Sequence, residues 1–163
     1  MALIISDANI LIDFECAALT PRLFQLDLDL AVPDLLYHDE LSTHHGDLPA
    51  LGLQLLELPP ELISQAYEYR SRYSKPSIYD LFALVLSLDR QCPLLTGDKA
   101  LRELARSKDV EVFGTIWLME QLFDARLVTI DEMESAYGIM LDNQSRLPER
   151  EIGRQLRRLK ARF

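Results

Sequence analysis

Short apolar runs alternate with longer amphipathic segments along most of the chain. The runs have the length of β-strands, and the longer segments repeat their apolar residues at the three-to-four-residue spacing of helices. The predicted strands cover residues 2–6, 28–32, 53–58, 93–96 and 110–113. The predicted helices cover residues 9–19, 33–44, 61–73, 78–90, 99–107, 115–125, 130–142 and 148–162. This alternation predicts an α/β protein, a three-layer α/β/α sandwich with a central parallel sheet of about five strands.

Two further helices are predicted after the alternating part of the chain. In the last of them, apolar residues recur at spacings of four, three and four, so one helix face is apolar: Ile152, Leu156, Leu159 and Phe163. We expect this face to dock on the body of the protein or on a partner. The chain is therefore divided into a domain of residues 1–126 and a C-terminal helical extension of residues 127–163 packed on the same domain.

The length and composition restrict the class of protein. A chain of 163 residues has the length of about one domain, and nearly half of its residues are apolar. It has no apolar run of about 20 residues, as a membrane span needs, and no basic leader of a secretory signal. The two cysteines, Cys16 and Cys92, make neither a disulfide framework nor a zinc site, and we expect both to be small core residues. A cytoplasmic protein is predicted.

The charge is unevenly distributed. The net charge is −9, but residues 146–163 carry seven basic and two acidic residues, so this segment is +5 and the rest of the chain is −14. An acidic body repels polyanions unless bound cations neutralise part of its charge. The distribution is typical of a metal site with a basic segment nearby.

Four acidic residues stand where predicted strands turn into helices, or just inside a helix: Asp7, Glu40, Asp80 and Asp98. Because the strands of a parallel sheet end at one side of the sheet, Asp7 and Asp98 could face each other across a crevice there. Each position also has an ordinary interpretation. Asp7 and Asp98 are placed as helix N-caps, and Ser77 with Asp80 reads as a capping box.

Glu40 does not have such an ordinary interpretation. In the helix predicted to start near Pro33, the inward face is marked by Leu36, Tyr37 and Leu41, and Glu40 lies on it four residues after Leu36. An ionised carboxylate on an apolar face is costly unless a cation or metal ion pairs with it. Glu40 therefore favours a common metal site over four separate caps.

The expected ions are Mg²⁺ or Mn²⁺, since hard cations prefer oxygen ligands. Two such ions about 4 Å apart could activate a water and stabilise the leaving oxygen of a phosphodiester. Ser6, Asn9 and Thr96 are small polar neighbours suited to supporting hydrogen bonds.

The segments that contain these acids resemble the motifs of the PIN domain family. The sequences concerned are Ser-Asp-Ala-Asn, Tyr-His-Asp-Glu, Ile-Tyr-Asp and Thr-Gly-Asp, within residues 5–12, 33–41, 77–80 and 95–98. Residues 112–119 are similar to a strand-to-helix step found late in many PIN proteins. The resemblance covers about residues 2–125, and in many relatives a further acid stands where this chain has Leu101.

The resemblance implies a Mg²⁺- or Mn²⁺-dependent ribonuclease that hydrolyses RNA phosphodiester bonds. Asp7, Glu40, Asp80 and Asp98 match the family's acidic quartet, as catalytic and metal-binding residues. Small stand-alone members are commonly toxins of toxin–antitoxin pairs, and they are dimeric and inhibited by a cognate antitoxin. The resemblance therefore also implies a homodimer and an antitoxin partner.

Other functions fit the sequence less well. The chain has no phosphate-binding loop motif, no dinucleotide fingerprint and no serine nucleophile elbow.

A transition-metal site at His38, His44 and His45 is less favoured than surface positions for these residues. The tyrosines and arginines of residues 67–75 could stack and grip RNA, although a partly inward-packed helix is favoured. The basic last helix could bind RNA, bind an acidic partner or be a solvated surface. A non-catalytic PIN-like interaction module and a solitary RNA-processing nuclease also stay open.

Overall fold

Five parallel strands form the centre of the structure, a computed structural model that describes residues 2–163. The strands are β1 Ala2–Ser6, β2 Leu28–Pro33, β3 Gln54–Leu56, β4 Leu94–Leu95 and β5 Val112–Phe113. Their order in the sheet is β3-β2-β1-β4-β5, and every neighbouring pair is parallel. The predicted α/β fold with a five-stranded parallel sheet is confirmed.

Helices cover both faces of this sheet. They are α1 Ala8–Cys16, α2 Thr20–Leu23, α3 Asp34–Leu36, a π-helical segment Tyr37–Leu41, α4 Leu48–Leu51, α5 Pro60–Arg72, α6 Ile78–Arg90, α7 Lys99–Ser107, α8 Thr115–Asp124, α9 Ile130–Asp142 and α10 Glu149–Lys160. Successive strand side chains point to opposite faces. Ile4 accordingly packs in a core with α1, α8 and α9, and Ile5 packs in a second core with α6 and α7. The two cores make the sandwich three layers thick.

The predicted first and second helices are shorter than expected. The first ends at Cys16 because Ala18 takes a left-handed conformation with φ of 58°, and a separate short helix, α2, follows. The second changes at Tyr37 from α-helical to π-helical geometry, and the amide of Ser42 donates to the Tyr37 carbonyl at 2.8 Å. The helix α4 was not predicted at all.

The last helix docks on the body through its apolar face. Ile152 and Leu159 are buried in the core that also contains α1. Buried Gln155 donates to the Ile116 carbonyl at 2.9 Å and accepts from the Tyr137 hydroxyl at 2.5 Å. These bonds fix α10 against α8 and α9. Phe163, which was expected on the same face, is 89% exposed because the helix ends at Lys160.

Three basic side chains of the last helix pair with acids of the body. Arg158 pairs with Glu120, Lys160 with Glu134 at 2.5 Å, and Arg162 with Asp124 at 3.3 Å. Part of the positive charge of this helix is therefore neutralised within the chain, as in a solvated helix surface.

The cysteines differ from the prediction that both are core residues. Cys16 is exposed at the end of α1, and only Cys92 is partly buried, against the second core. No helix within residues 2–163 is long and apolar enough to cross a membrane.

Candidate active site

The site lies where β1 and β4 end side by side. In the sheet, β2 and β3 lie on one side of β1, whereas β4 and β5 lie on the other side. The helices that follow also diverge, since α1 packs in the first core and α7 in the second. Such a switch point leaves a crevice at the carboxyl ends of the strands, where ligands of open α/β sheets bind.

Asp7 closes the end of β1 and is 2% exposed. One carboxylate oxygen caps α1 by accepting the Ile10 amide at 3.0 Å, and the other accepts the hydroxyl of fully buried Thr96. The Thr96 hydroxyl oxygen in turn accepts the Asp98 amide at 3.1 Å. A single hydroxyl therefore ties the ends of β1 and β4 together.

The environment of Asp7 favours its protonated form. Burial raises the pKa of Asp7 to about 7, although the hydrogen bonds from Thr96 and Ile10 lower it, and the charges of Asp80 and Asp98 raise it further. Asp80 and Asp98 are thus near enough to repel an ionised Asp7. A bound cation would relieve this repulsion.

Asp98 and Asp80 both occupy the capping positions that the sequence suggested. Asp98 caps α7 by accepting the Leu101 amide at 2.8 Å. Asp80 and Ser77 form the predicted capping box, with bonds of 3.0 and 3.1 Å. Burial raises the pKa of Asp80, and the charge of Asp98 adds to the effect although the Ser77 bonds oppose it. Capping and mutual repulsion therefore occur in the same residues.

Glu40 is not on the buried helix face where it was predicted. Leu36, Tyr37 and Leu41 are buried as expected, but the Glu40 side chain is exposed. The i→i+5 bonding of the π-helical segment adds a residue to the turn, which rotates Glu40 away from the apolar stripe. Partial burial, Asp80 and then Asp39 raise the pKa of Glu40. Glu40 therefore lies beside Asp80, at the outer side of the crevice.

A hydrogen bond joins the π-helical segment to α6. The Tyr79 hydroxyl donates to the Asp39 carboxylate at 2.6 Å. Since Glu40 follows Asp39 and Asp80 follows Tyr79, this bond holds the segments that carry these two acids next to each other.

The four acids carry the charge that a cation needs, but they are not close enough together to form its ligand shell. Within residues 2–163, none of the four makes an ion pair with a basic side chain. Over the same residues, no three His, Cys, Asp or Glu side chains are grouped closely enough to hold a metal ion. Carboxylate oxygens are the ligands that Mg²⁺ and Mn²⁺ prefer. The donor chemistry therefore fits such an ion, whereas its binding would require side-chain movement.

The three supporting polar residues are placed differently from one another. Ser6 is buried, and its hydroxyl donates to the Asp7 carbonyl at 2.8 Å. Thr96 is buried against the Asp7 carboxylate, as described above. Asn9 is exposed on α1 and lines a cavity of about 1060 Å³ beside Asp98.

That cavity contains functional candidates that the sequence analysis did not single out. Its walls come from α1, α7, the start of α8 and residues 143–148, and they include Lys99, Arg102 and Arg146. One signal was available for Arg102, which follows Asp98 by four residues on a helix and so lies on the same side. Nothing in the sequence indicated that residues 143–148 return to this crevice.

The histidines and the tyrosine-rich helix lie outside the crevice. His38 and His44 are exposed, while the Nδ1 atom of partly buried His45 lies 2.9 Å from a Glu15 carboxylate oxygen. On α5, Tyr67 is 57% exposed, and the Lys108 ammonium lies 5.3 Å from the centre of the Tyr69 ring. The three histidines therefore do not form a metal site together.

Comparison with known proteins identifies the family. The family model DUF3368, described as a PIN domain, matches residues 3–161. The chain therefore belongs to this PIN-domain family. PIN domains are generally nucleases that use divalent metal ions, so this fold is of the nuclease type. No curated protein matches the chain significantly.

Proposed function

We propose that the protein is a divalent-metal-dependent endoribonuclease whose catalytic and metal-binding residues are Asp7, Glu40, Asp80 and Asp98. The observation that carries the proposal is the position of Asp7, which is buried where β1 and β4 end and is near enough to Asp80 and Asp98 to be repelled by their charges. Burial and two neighbouring carboxylates raise the pKa of Asp7 to about 7, and no basic side chain of residues 2–163 pairs with it. Such a set gains most from a cation.

Each residue has a defined part in the proposal. Mg²⁺ or Mn²⁺ would supply a Lewis acid for the phosphodiester and lower the pKa of an attacking water. Asp7, Asp80 and Asp98 would hold the ion, and Glu40 would approach from the π-helical segment. Thr96 orients the Asp7 carboxylate and Ser6 is bonded to the Asp7 carbonyl. Asn9 faces the cavity, where it can contact the substrate.

We further propose that the nuclease is the toxin of a toxin–antitoxin pair and that it acts as a homodimer. The support is the resemblance to small stand-alone PIN proteins, which are commonly of this kind. A cognate antitoxin would then be its protein partner. Induced expression in a bacterial host should stop growth, and Asp98→Asn should restore it. Normal growth with active nuclease present would favour a solitary RNA-processing enzyme.

The direct test is cleavage of a mixed single-stranded RNA pool by the wild type and by Asp98→Asn. Asparagine caps a helix as well as aspartate does, so the variant keeps the α7 cap and loses one carboxylate. We expect cleavage with Mn²⁺ or Mg²⁺, none with chelator and none in the variant. Asp131→Asn is the matched control, because exposed Asp131 lies in the first turn of α9, away from the crevice. Cleavage retained by Asp98→Asn would contradict the proposed site.

One observation favours a second candidate, a non-catalytic PIN-like interaction module. The acids of residues 2–163 are not grouped as a ready metal site. Calorimetric titration with Mn²⁺ separates the two candidates. Binding that Asp7→Asn removes supports the nuclease, whereas no binding at any pH supports the interaction module.

A further inference from the structure

A cavity of about 1060 Å³ runs from the acids to the C-terminal extension. It begins at Asn9, Thr96 and Asp98 and ends against residues 143–148. Residues 143–148 are held in place by the Ser145 hydroxyl, which donates to the Asp13 carboxylate on α1. The cavity is therefore a built part of the fold that leads away from the proposed cleavage point.

Three basic side chains line this cavity and find no acidic partner. They are Lys99 and Arg102 on α7 and Arg146 in the C-terminal segment. None of them makes an ion pair within residues 2–163. The lining also includes the carboxylates of Asp13, Asp98 and Glu151, but Asp13 accepts from Ser145 and Asp98 caps α7. The three basic groups therefore stay available to the phosphates of a substrate.

Arg102 carries the strongest indication of a missing ligand. Its side chain is partly buried, and its Nε atom is buried without a hydrogen-bond partner. Buried polar atoms in native proteins are almost always hydrogen-bonded, and leaving one unpaired is costly. A guanidinium group binds a phosphate through two parallel hydrogen bonds, and such a contact would satisfy this atom once the side chain turns toward the cavity.

The cavity also offers an aromatic wall and enough space for a base. Trp117 lines it, and the Trp117 ring stacks on Phe113 with 4.1 Å between ring centres. Aromatic rings bind unpaired bases by stacking. Asn143 and Gln144 add amides that can hydrogen-bond to base edges. A volume of about 1060 Å³ is slightly above the roughly 300–1,000 Å³ of ordinary ligand sites.

We propose that this cavity is a nucleotide-binding subsite for single-stranded RNA. Arg102, Lys99 and Arg146 bind the phosphates next to the scissile bond, and Trp117 stacks on a base. This inference rests on the proposed nuclease function and adds where the substrate runs. The C-terminal extension is then a part of the substrate site. An acidic peptide would satisfy the cations as well, but it would make no use of the aromatic wall.

The test is the binding of fluorescein-labelled octauridylate and octaadenylate, measured by fluorescence anisotropy in chelator so that no cleavage occurs. Arg102→Gln should weaken binding by about tenfold or more, as expected for a charge-assisted contact. It should also reduce the salt dependence of binding by about 0.7 in the log–log slope, the value for one phosphate of a single strand. Arg106→Gln is the matched control, because exposed Arg106 lies one turn further along α7 and does not line the cavity.

A second variant fills the cavity without removing charge. A Cβ added at Gly97 meets no atom within 4 Å, so the backbone has room for a side chain there. Because Gly97 lines the cavity, we expect Gly97→Leu to take up space in it. Its control is Gly138→Leu on α9, where an added Cβ also meets nothing. We expect weaker RNA binding for Gly97→Leu only. Thermal unfolding of each variant shows whether it is folded. If Arg102→Gln does not fold, Gly97→Leu still tests the subsite.

The outcomes separate this subsite from the nuclease proposal. If folded Arg102→Gln and Gly97→Leu bind RNA as the wild type does, the subsite is wrong, even if Asp98→Asn abolishes cleavage. If both bind weakly while the wild type cleaves under no condition, the subsite is supported and only the nuclease assignment fails. If labelled octaglutamate binds the wild type but not Arg102→Gln, whereas neither octanucleotide binds the wild type, the cavity binds acidic peptides and the RNA proposal is overturned.

Discussion

Replacing Asp7 by Asn is expected to stabilise the metal-free protein above neutral pH. Asp7 is 2% exposed, and burial with two nearby carboxylates raises its pKa from 3.8 to about 7. Asparagine keeps an oxygen to cap α1 at the Ile10 amide. Its NH₂ group can donate to the Thr96 oxygen after the hydroxyl has rotated. The variant therefore loses the buried charge and little else.

The sign and size follow from proton linkage. Between pH 3.8 and about 7, the folded protein binds a proton at Asp7 that the unfolded chain has released. The stability due to Asp7 is therefore fully present below pH 3.8 and is lost as the pH rises through about 7. A tenfold change in proton affinity is worth about 1.4 kcal/mol, so the ionised form costs up to about 4 kcal/mol. Of this, roughly 3 kcal/mol falls between about pH 5 and about pH 8.5.

The assay is urea unfolding of wild type and Asp7→Asn with chelator, at about pH 5 and about pH 8.5. We expect the variant to be more stable at both values, with an advantage that grows by about 2–3 kcal/mol at the higher pH. Asp131→Asn, at an exposed position, should show no such growth. Adding Mn²⁺ at a hundred times its Kd should stabilise the wild type by about 2.7 kcal/mol and leave the variant unchanged.

One result would refute the reasoning. If Asp7→Asn is less stable than the wild type at about pH 8.5 without metal, the carboxylate is a stabilising cap and not a repelled buried charge. The raised pKa would then be wrong, and the strongest support for a cation at this position would be lost.

Three further predictions concern the surroundings of the site. Because Glu40 is exposed, Glu40→Gln should leave metal-free stability within about 0.5 kcal/mol of the wild type. It should weaken Mn²⁺ binding in calorimetry, and a large loss of metal-free stability would make Glu40 structural. Tyr79→Phe removes the bond to Asp39 and should lower the cleavage rate with only a small loss of stability in urea unfolding, because the bond is exposed. An unchanged rate would show that the bond does not hold Glu40 for catalysis. Leu159→Ala should cost about 3 kcal/mol in a single unfolding transition, because Leu159 is in the shared core. Leu156→Ala should cost clearly less, because Leu156 is half-buried. A separate unfolding transition of the extension would contradict one common core.

The strands and the helix caps could be predicted because their causes are local. The apolar runs before Asp7 and Asp98 mark buried strands, and the carboxylates cap the helices that follow. The position of Glu40 could not be predicted, since a π-helical turn adds a residue to the period without a distinctive sequence pattern. The right residues, Leu36 and Leu41, were placed inside, yet the acid between them turned outward.

The cavity could not be predicted from the sequence for a different reason. Its outer wall depends on Ser145 meeting Asp13, a contact between residues 132 positions apart. Helical periodicity shows which face of α10 is apolar, but not which part of the body it covers. The choice was made by tertiary packing, through Gln155 and its two partners on α8 and α9.

The outermost strands of the sheet have a consequence for self-association. β3 has three residues and β5 has two, so each flank of the sheet exposes only a short row of unpaired backbone groups. Short flanking strands are poor templates for another chain, and they protect a protein from aggregation. A second copy would therefore join through side chains on the helices, and a single substitution on a helix surface could separate the pair without disturbing the sheet.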